Sequence, residues 1–397
     1  MDDLNALKDR VCKEVDGLRD DLGALSRRIF EHPEFQFEER QACAWLSDFL
    51  KANGFDIAAN VAGMETAFRG RVRGTKERPH VALLAEYDAL RGLGHACGHN
   101  LICTASVGAA VALHRAAPSL AGALTVLGTP AEEGGGGKVI MAEKGVFDSV
   151  DAVMMFHPSR ANWWARGALA SRRLTINFQG KSSHAAAMPE RGVNALNALM
   201  LTFHAIDSLR QHVTSDVRIH GIVTRGGDAP NVVPEYAEAR FSVRAATRAA
   251  MEEVMVKVKR CAEGAAIATG AAVEMETGVT YAERHNSPVL VRFFGENMER
   301  LGVRGEEPPK VGGVGSSDIG NVSMICPTIH PYLAIGDGDL AGHTPEFREA
   351  SGSERGRQAM MNAAKGLAMT TLDVMYRPGA VDEAWEAFKA GVAAATR

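Results

Sequence analysis

A cysteine and a histidine stand two positions apart in the stretch HACGHN, and together they could begin a metal site. Cys97 and His99 flank one glycine and follow the apolar run 81–85 and a glycine-rich turn. Thiolate and imidazole donors suit Zn²⁺ and, less selectively, Mn²⁺, Co²⁺ or Ni²⁺. Two donors do not complete a site, so further ligands are expected at the ends of other strands.

Three apolar runs in the first half of the chain each end in residues able to bind a metal. The runs 81–85, 123–128 and 152–156 lead, in turn, to Asp88, Cys97 and His99, to Glu132 and Glu133, and to His157. Ligands of open α/β sheets bind outside the carboxyl ends of the strands, so these side chains are expected to meet at one edge. Each one alone could be an ordinary packing or surface residue, whereas three endings in succession favour a metal centre.

The adjacent pair Glu132 and Glu133 suggests two different tasks. Successive side chains on an extended segment point to opposite sides. One carboxylate can therefore bind metal while the other faces the substrate and moves a proton, as a general base does beside metal-activated water. A thiolate or carboxylate shared by two ions about 3.5–4 Å apart would make the site dinuclear.

The order of the predicted elements places these residues in an α/β fold. Strands and helices alternate up to about residue 169, which predicts a doubly wound catalytic domain with a mixed, mostly parallel sheet. Residues 170–282 then read β-α-β-β-α-β, the order of a ferredoxin-like α+β unit. Because α/β signals return afterwards, we expect residues 1–169 and 283–397 to form one domain, interrupted by an inserted domain at 170–282.

The element bounds are also predicted from the sequence. Helices are expected within 3–52 (two, broken at His32-Pro33), and over 101–117, 138–144, 192–213, 247–269, 288–301, 352–376 and 380–395. Strands are expected over 57–61, 67–72, 81–85, 123–128, 152–156, 174–178, 217–223, 237–243, 272–280 and 329–335.

Composition and charge exclude several classes of protein. A net charge of −4 gives no basic field for nucleic acid. No run of about 18 apolar residues and no secretory signal are present, so we expect neither a membrane partner nor export. The six cysteines are scattered without a C-x-x-C pair, as expected for reduced thiols in the cytoplasm.

Other catalytic motifs fail on spacing. The glycines at 134–137 with Lys138 lack the remainder of a P-loop, since Val139 stands where Ser or Thr is needed. There is no G-x-G-x-x-G after a strand and no G-x-S-x-G elbow. Ser316, in the glycine-rich loop 313–320, is expected to contact substrate or shape the loop rather than act as a nucleophile.

A set of motifs resembles the amidohydrolase branch of the aminoacylase and glutamate carboxypeptidase superfamily, above all its aminobenzoyl-glutamate hydrolase-like members. The motifs run in family order over nearly the whole chain: EYDALRGLGHACGHN (86–100), GTPAEEGGGGKVIM (128–141), FHPS (156–159), GKSSHAA (180–186), APNVVPEYAEARFSVRA (229–245), GSSDIGNVS (315–323) and GHTPEF (342–347).

This resemblance implies a dinuclear metallohydrolase and a role for each matching residue. Cys97 is implied to bridge two metal ions, whose other ligands are His99, Glu133, His157 and His343, and Glu132 is implied to be the general base. His184 matches a histidine that, in dimeric relatives, polarises the scissile carbonyl in the partner's active site. Asn231 and Arg244 match positions that contact the substrate, with Arg244 on a carboxylate. Asp88 is expected to orient a ligand histidine rather than to bind metal. The resemblance also implies that the inserted domain, residues 170–282, is a lid and dimerisation domain through which the protein forms a homodimer.

Three positions depart from the family pattern. Arg91 stands where relatives carry Pro after EYDAL, and it is either a solvated loop residue or a determinant of substrate choice. Asn100 replaces the Asp of auxin-conjugate and hippurate hydrolases but suits the aminobenzoyl-glutamate members. Glu86 lies where the carboxypeptidases use a ligand histidine, a role that His99 is expected to take.

The leading hypothesis is a hydrolase with two divalent ions, Zn²⁺ or Mn²⁺ with Co²⁺ or Ni²⁺ as alternatives, that cleaves an amide C–N bond of an N-acyl amino acid or peptide-like small molecule. Two alternatives stay open. The same machinery could release ammonia from an aromatic or amidine-type amine, with Trp163 and Trp164 lining an aromatic pocket. The chain could also be a non-catalytic, metal-dependent binding protein, although the complete set of Glu132, the ligands and His184 argues against it.

Overall fold

The computed structural model describes residues 2–309 and 315–395, and the chain divides into two compact units. One unit runs from the N-terminus to Gly167 and resumes at Arg284, and the other is Ala168–Glu283. These bounds differ by one or two residues from those expected from the sequence. Residues 313 and 314 of the predicted loop 313–320 lie outside the described residues.

The first unit contains ten α-helices and eight strands among the described residues. Its helices are α1 (Asp2–Gly17), α2 (Arg19–Glu31), α3 (Arg40–Ala52), α4 (His99–Ala116), α5 (Gly137–Glu143), α8 (Pro288–Arg300), α9 (Ile319–Ser323), α10 (Pro345–Ser351), α11 (Glu354–Tyr376) and α12 (Ala380–Ala395). Its strands are β1 (Asp56–Ala59), β2 (Phe68–Arg73), β3 (His80–Glu86), β4 (Ala123–Thr129), β5 (Ala152–Met154), β6 (His157–Ser159), β11 (Thr328–Ile329) and β12 (Tyr332–Ala334).

Six of these strands form a mixed sheet in the order β1-β2-β4-β3-β5-β11. The neighbours β4, β3, β5 and β11 are parallel, while β1 and β2 are antiparallel additions at one side. Every residue of β3 and β4 is buried, which explains why both read as continuous apolar runs rather than alternating ones. Because β3, β4 and β5 are parallel neighbours, their carboxyl ends lie at one edge of the sheet.

The third strand ending differs from the prediction. The run 152–156 is not one strand, because β5 ends at Met154 and His157 begins β6, which pairs in parallel with β12 as a separate two-stranded sheet. The predicted strand 329–335 is likewise divided into β11 and β12 around His330 and Pro331. Proline has no N–H to donate to a neighbouring strand, so the ladder is interrupted there.

The N-terminal region also departs from the prediction, with three helices in place of two. The additional break lies between α1 and α2 at Leu18, whose N–H is shared between Glu14 O (3.2 Å) and Val15 O (3.1 Å). Gly17 precedes the break, and glycine is a weak helix former. Leu18 is fully buried, so the break keeps both helices on the hydrophobic core of the first unit.

The second unit has the predicted β-α-β-β-α-β order. It consists of β7 (Ala170–Gln179), α6 (Ala195–Leu209), β8 (Arg218–Arg225), β9 (Tyr236–Ala245), α7 (Arg248–Thr269) and β10 (Ala272–Tyr281). Its antiparallel sheet has the strand order β10-β7-β9-β8, the arrangement of a ferredoxin-like fold, and it has its own hydrophobic core. Within the described ranges, no helix combines the length and apolarity that crossing a membrane requires.

Candidate metal centre and active site

The loop between β3 and α4 brings Cys97 and His99 against the segment that carries His157. Gly98 separates the two residues with a left-handed φ of 77°, and α4 starts at His99. A Cβ at Gly98 would collide with the Pro158 ring. Glycine is therefore required here both for the backbone conformation and for the close approach of the two segments.

The two glutamates after β4 reach different groups of side chains. Ala131 has a positive φ of 60°, and its N–H donates to Glu39 Oε1 at 2.9 Å, which holds the turn before the pair. Glu133 then groups with Cys97 and His343, whereas Glu132 groups with Glu86 and His99. The adjacent carboxylates are therefore directed to different sides of the site.

Cys97 belongs to two of the candidate ligand groups. Its Sγ lies 3.5 Å from His157 Nε2, and Cys97, His99 and His157 form one group whose donor atoms lie within 4.8 Å of one another. Cys97, Glu133 and His343 form another group on the same criterion. A thiolate common to two groups is suited to bridging two ions.

Hydrogen bonds fix the orientation of the histidines. His157 Nδ1 lies 2.7 Å from Pro158 O, so this nitrogen carries the proton and Nε2 is left as the donor atom toward Cys97. His99 Nδ1 lies 3.1 Å from Asp88 Oδ1, and the other carboxylate oxygen of Asp88 accepts the Glu133 N–H at 2.9 Å. Asp88 thus orients one candidate ligand and anchors the backbone of a second.

His343 approaches from the loop after β12. Its Nε2 lies 3.3 Å from Glu133 Oε1, and its backbone N–H donates to Ala96 O at 2.9 Å. Its φ of 65° is unusual for a residue with a side chain, and such strain is found where the surroundings hold a functional group in place. His343 is half exposed, so this side of the cluster opens to solvent.

The donor set fits a pair of divalent ions. His99 Nε2 and Glu133 Oε1 are buried side-chain atoms that make no hydrogen bond within the described residues. His99 Nε2 is 2.9 Å from Glu86 Oε1, and Glu133 Oε1 is 3.3 Å from His343 Nε2, but neither contact has hydrogen-bonding geometry. Buried polar atoms ordinarily have partners, and a bound cation would supply one to both atoms. One thiolate, three imidazoles and a carboxylate are the donor types that Zn²⁺ accepts.

Burial and mutual charge shift the pKa values in the site in opposite directions. Burial and the charges of Glu86, Glu133 and Asp318 hold the pKa of Glu132 well above its usual range. Burial raises the pKa of Glu133, but His343 and His99 outweigh it and the net shift is downward. Glu133 is thus the more acidic member of the pair, as suits a metal ligand, and Glu132 the member with the higher affinity for a proton.

Burial also determines whether the His157 imidazole and the Cys97 thiol carry a proton. Burial, with the charge of His99, lowers the pKa of His157 to about 4, so His157 is neutral and able to donate a lone pair. Burial and Glu133 raise the pKa of the Cys97 thiol. Metal binding therefore has to displace the Cys97 proton.

A buried ionic network beneath the cluster was not predicted from the sequence. Lys138, fully buried on α5, donates to Glu86 Oε2 at 2.5 Å and to Asp318 Oδ1 at 2.7 Å. Asp318 Oδ2 also accepts the Lys138 backbone N–H at 2.9 Å. Although burial alone would raise the pKa of Glu86, Lys138 and His99 hold it well below its usual range. One feature of the sequence did point to this network. Glu86 is a carboxylate at the end of an apolar strand, and a buried carboxylate needs a cation beside it.

Three further residues predicted for the active site, His184, Asn231 and Arg244, belong to the second unit, Ala168–Glu283. His184 is exposed, and its Nδ1 accepts the N–H groups of Ala186 and Ala187 at 3.3 and 3.1 Å. Asn231 O accepts the N–H of Ala185, the residue after His184, at 3.0 Å. Arg244 is half-buried on β9, opposite Ser171 and Arg218.

The remaining singled-out residues have defined surroundings in the first unit. Ser316 is half-buried just before α9. Arg91 is exposed, bonds Glu38 at 3.2 Å and lies over the Phe35 ring, which is the behaviour of a surface loop residue. Asn100 is buried and donates to Ser26 Oγ at 3.0 Å, so its amide serves packing at the start of α4.

Comparison with known proteins identifies the family. The chain is 39% identical over 404 residues to the Xaa-Arg dipeptidase of Mus musculus, covering 98% of this chain and 93% of that protein. The chain belongs to the M20 family of metallohydrolases. It is 35% identical over 271 residues to a component of the p-aminobenzoyl-glutamate hydrolase of Escherichia coli, covering 63% of this chain and 56% of that protein. Residues 166–269 match the peptidase dimerisation domain.

A solved M20 structure shares the fold. The dinuclear metal-binding peptidase of Bacillus subtilis superposes with a TM-score of 0.67 at 22% identity, over 91% of this chain and 99% of that one. The fold class and the aminobenzoyl-glutamate hydrolase-like resemblance predicted from the sequence are thus confirmed. As an M20 member the protein is a metal-dependent hydrolase of amide C–N bonds.

The buried network predicts a large loss of stability when its cation is removed. Lys138→Met leaves the Glu86 and Asp318 carboxylates buried without the ammonium group that pairs with both, so we expect the free energy of unfolding to fall by about 3–5 kcal/mol in denaturant titration. The double variant Lys138→Met/Asp318→Asn, with one carboxylate neutralised, should recover part of this loss. Lys144→Met, an exposed lysine just past the same helix, is the control and should stay within about 0.5 kcal/mol of the parent. A loss below about 1 kcal/mol for Lys138→Met would contradict the account.

Proposed function

We propose that this M20 enzyme hydrolyses the amide bond of an N-acyl amino acid or dipeptide-like substrate, with Glu132 as the general base. The observation that carries the proposal is that the two adjacent glutamates belong to different groups of side chains. Glu133 groups with Cys97 and His343, while Glu132 groups with Glu86 and His99. Glu132 is thereby left to act on a water molecule and a leaving amine beside the cluster.

The environment of Glu132 suits proton transfer. Burial and the charges of three neighbouring carboxylates raise its pKa, and a general base is most effective when its pKa lies near the working pH. In the proposed reaction Glu132 takes a proton from the attacking water and returns it to the nitrogen of the leaving amine. The scissile C–N bond breaks as that nitrogen is protonated, and the acid and the amine are the two products.

The proposed ligands of the two divalent ions are Cys97, His99, Glu133, His157 and His343, with Cys97 common to both. The ions, when bound, would acidify the attacking water and polarise the scissile carbonyl. We propose Zn²⁺ or Mn²⁺, because the thiolate favours the softer Zn²⁺ whereas a carboxylate also accepts Mn²⁺. Asp88 keeps His99 oriented throughout.

The substrate class is proposed from the relatives. One relative is a dipeptidase acting on Xaa-Arg and another a hydrolase of p-aminobenzoyl-glutamate. Both of these substrates join an acyl group to an amino acid through an amide bond. Xaa-Arg dipeptides and p-aminobenzoyl-glutamate are therefore the first compounds to assay, with release of an amino acid rather than ammonia as the expected result.

Glu132→Gln tests the base directly. We expect the variant to keep the parent's metal content but to lose about 10²–10⁴-fold in kcat, because the amide cannot accept the proton. Metal analysis and amino-acid release on the same preparation are the measurements. Glu143→Gln, an exposed glutamate on α5, is the control and should turn over normally. Normal turnover by Glu132→Gln would overturn the assignment of the base.

We further propose that the protein is a homodimer formed through the second unit. The matched dimerisation domain, residues 166–269, supports this assembly. The edge strand β8 supports it too, because Ile222 and Val223 on it are 64% and 50% exposed. An unpaired edge with exposed apolar side chains is a surface that a second copy can cover.

His184, Asn231 and Arg244 of this unit, together with Ser316 just before α9, are the remaining residues of the proposed active site. The partner subunit's His184 would hydrogen-bond the scissile carbonyl oxygen as negative charge develops on it. Asn231, Arg244 and Ser316 are proposed to hold the substrate.

A mixed dimer tests whether His184 acts across subunits. Heterodimers of a Glu132→Gln chain and a His184→Ala chain, isolated with two different tags, contain one intact combination of Glu132 with the partner subunit's His184. We expect about half of the parent activity from this heterodimer, because one of two symmetric sites is restored. Both variant homodimers should be nearly inactive. An inactive heterodimer would show that His184 acts within its own chain or not at all.

A further inference from the structure

A cavity of about 340 Å³ opens beside the metal cluster within the first unit. His157 lies on one side of it, and the loop 339–342, which leads directly to His343, lies on another. Trp163, Tyr332 and Arg166 line the remaining wall. A group bound here would therefore belong to a molecule whose reacting bond lies at the metal cluster.

The wall of this cavity is rigid. Trp163 and Tyr332 exchange backbone hydrogen bonds of 3.0 and 2.7 Å, and Trp163 is almost fully buried. Arg284 donates to Tyr332 Oη at 3.0 Å and to the backbone carbonyls of Arg166 and Gly167 at 2.7 and 2.9 Å. The backbone that carries the Arg166 side chain is thus fixed before any ligand arrives.

The Arg166 guanidinium packs against two aromatic rings. Its Cζ lies 4.7 Å from the centre of the Trp163 ring and 5.1 Å from that of Tyr332. Across the described residues, no ion pair or side-chain hydrogen bond is formed by this guanidinium, although it is half-buried. A partly desolvated guanidinium packed on ring faces keeps its N–H edge available, and that edge matches a carboxylate.

The charges around the cavity favour an anion. Arg160 also lines it, and its pair with the highly exposed Asp339 is loose at 3.7 Å. Arg284 is adjacent to the cavity wall, with its Cζ 5.3 Å from the centre of the Tyr332 ring. Among the described residues that line the cavity, Asp339 is the one acidic side chain, and the guanidinium groups of Arg160, Arg166 and the neighbouring Arg284 outnumber it. The potential in the cavity is therefore positive.

We propose that Arg166 and the Trp163–Tyr332 wall form a carboxylate-binding subsite that holds the free carboxylate of the substrate's amino-acid part. The inference rests on the proposed amide hydrolysis and adds a determinant of substrate choice to it. The Tyr332 ring lies 5.4 Å from the His157 imidazole and 5.1 Å from the Arg166 Cζ, so it spans the interval between the reacting carbonyl and the carboxylate. Substrates with a free carboxylate next to the scissile amide are preferred over their amides.

The test compares matched acid and amide substrates. L-Alanyl-L-arginine is paired with L-alanyl-L-argininamide, and p-aminobenzoyl-L-glutamate with its α-carboxamide. Arg166→Met should lower kcat/KM for both acids by about 10- to 100-fold through KM, because a charge-assisted pair is lost, and leave the amides within about twofold of the parent. Arg166→Lys, which keeps the charge but loses the fork, should fall between.

A binding measurement separates this subsite from the reaction itself. Calorimetric titration of p-aminobenzoyl-L-glutamate and its α-carboxamide into the Glu132→Gln protein, with and without Arg166→Met, needs no turnover. We expect Arg166→Met to weaken the acid about tenfold or more and not the amide. Arg304→Met, which removes an equal charge from an exposed position outside the cavity, should change neither.

The possible outcomes are distinct. If Arg166→Met lowers kcat/KM equally for acid and amide, Arg166 only stabilises the fold. If the variant leaves kcat/KM unchanged for both, Arg166 does not contact the carboxylate. Either result overturns the subsite, while the proposed amide hydrolysis stands. Failure of the free acid to bind the Glu132→Gln protein also overturns the subsite. Acid-selective binding without hydrolysis of either pair by the parent would support the subsite and count against the proposed function.

Discussion

The ion pairs of Lys138 with Glu86 and Asp318 are the constraint on which the metal centre depends. Lys138 comes from α5, Glu86 from the end of β3 and Asp318 from the start of α9, and all three side chains are fully buried. Charges removed from water are stable only when each is paired and hydrogen-bonded, so these three elements must meet in one arrangement. His99 Nε2 lies 2.9 Å from Glu86 Oε1, so the surroundings of this candidate ligand depend on that arrangement.

Much of the site could be predicted from the sequence because it follows from the sheet. Continuous apolar runs identified β3 and β4 as buried parallel strands, and parallel neighbours end at the same edge. Asp88 was expected to orient a ligand histidine, and its Oδ1 lies 3.1 Å from His99 Nδ1. The Lys138 network was not foreseen, because its partners stand 52 and 180 residues away and no local pattern links them.

The remaining differences have local backbone causes. His157 was expected at the end of a central strand, but it begins a separate two-stranded sheet with β12. The same departure creates the wall of Trp163 and Tyr332, since β12 is also the strand that pairs with Trp163. A periodicity argument assigns strands by apolar content and does not detect a chain leaving one sheet for another. The carboxylate subsite is a consequence of that departure.

The most direct test of the central claim is X-ray absorption spectroscopy of the Zn²⁺-loaded protein, together with its metal content. A Cys97-bridged dinuclear centre predicts two ions per chain, a sulfur neighbour at about 2.3 Å that disappears in Cys97→Ser, and a metal–metal distance of about 3.5–4 Å. A single ion, or a spectrum without sulfur in the first coordination sphere, would contradict the account.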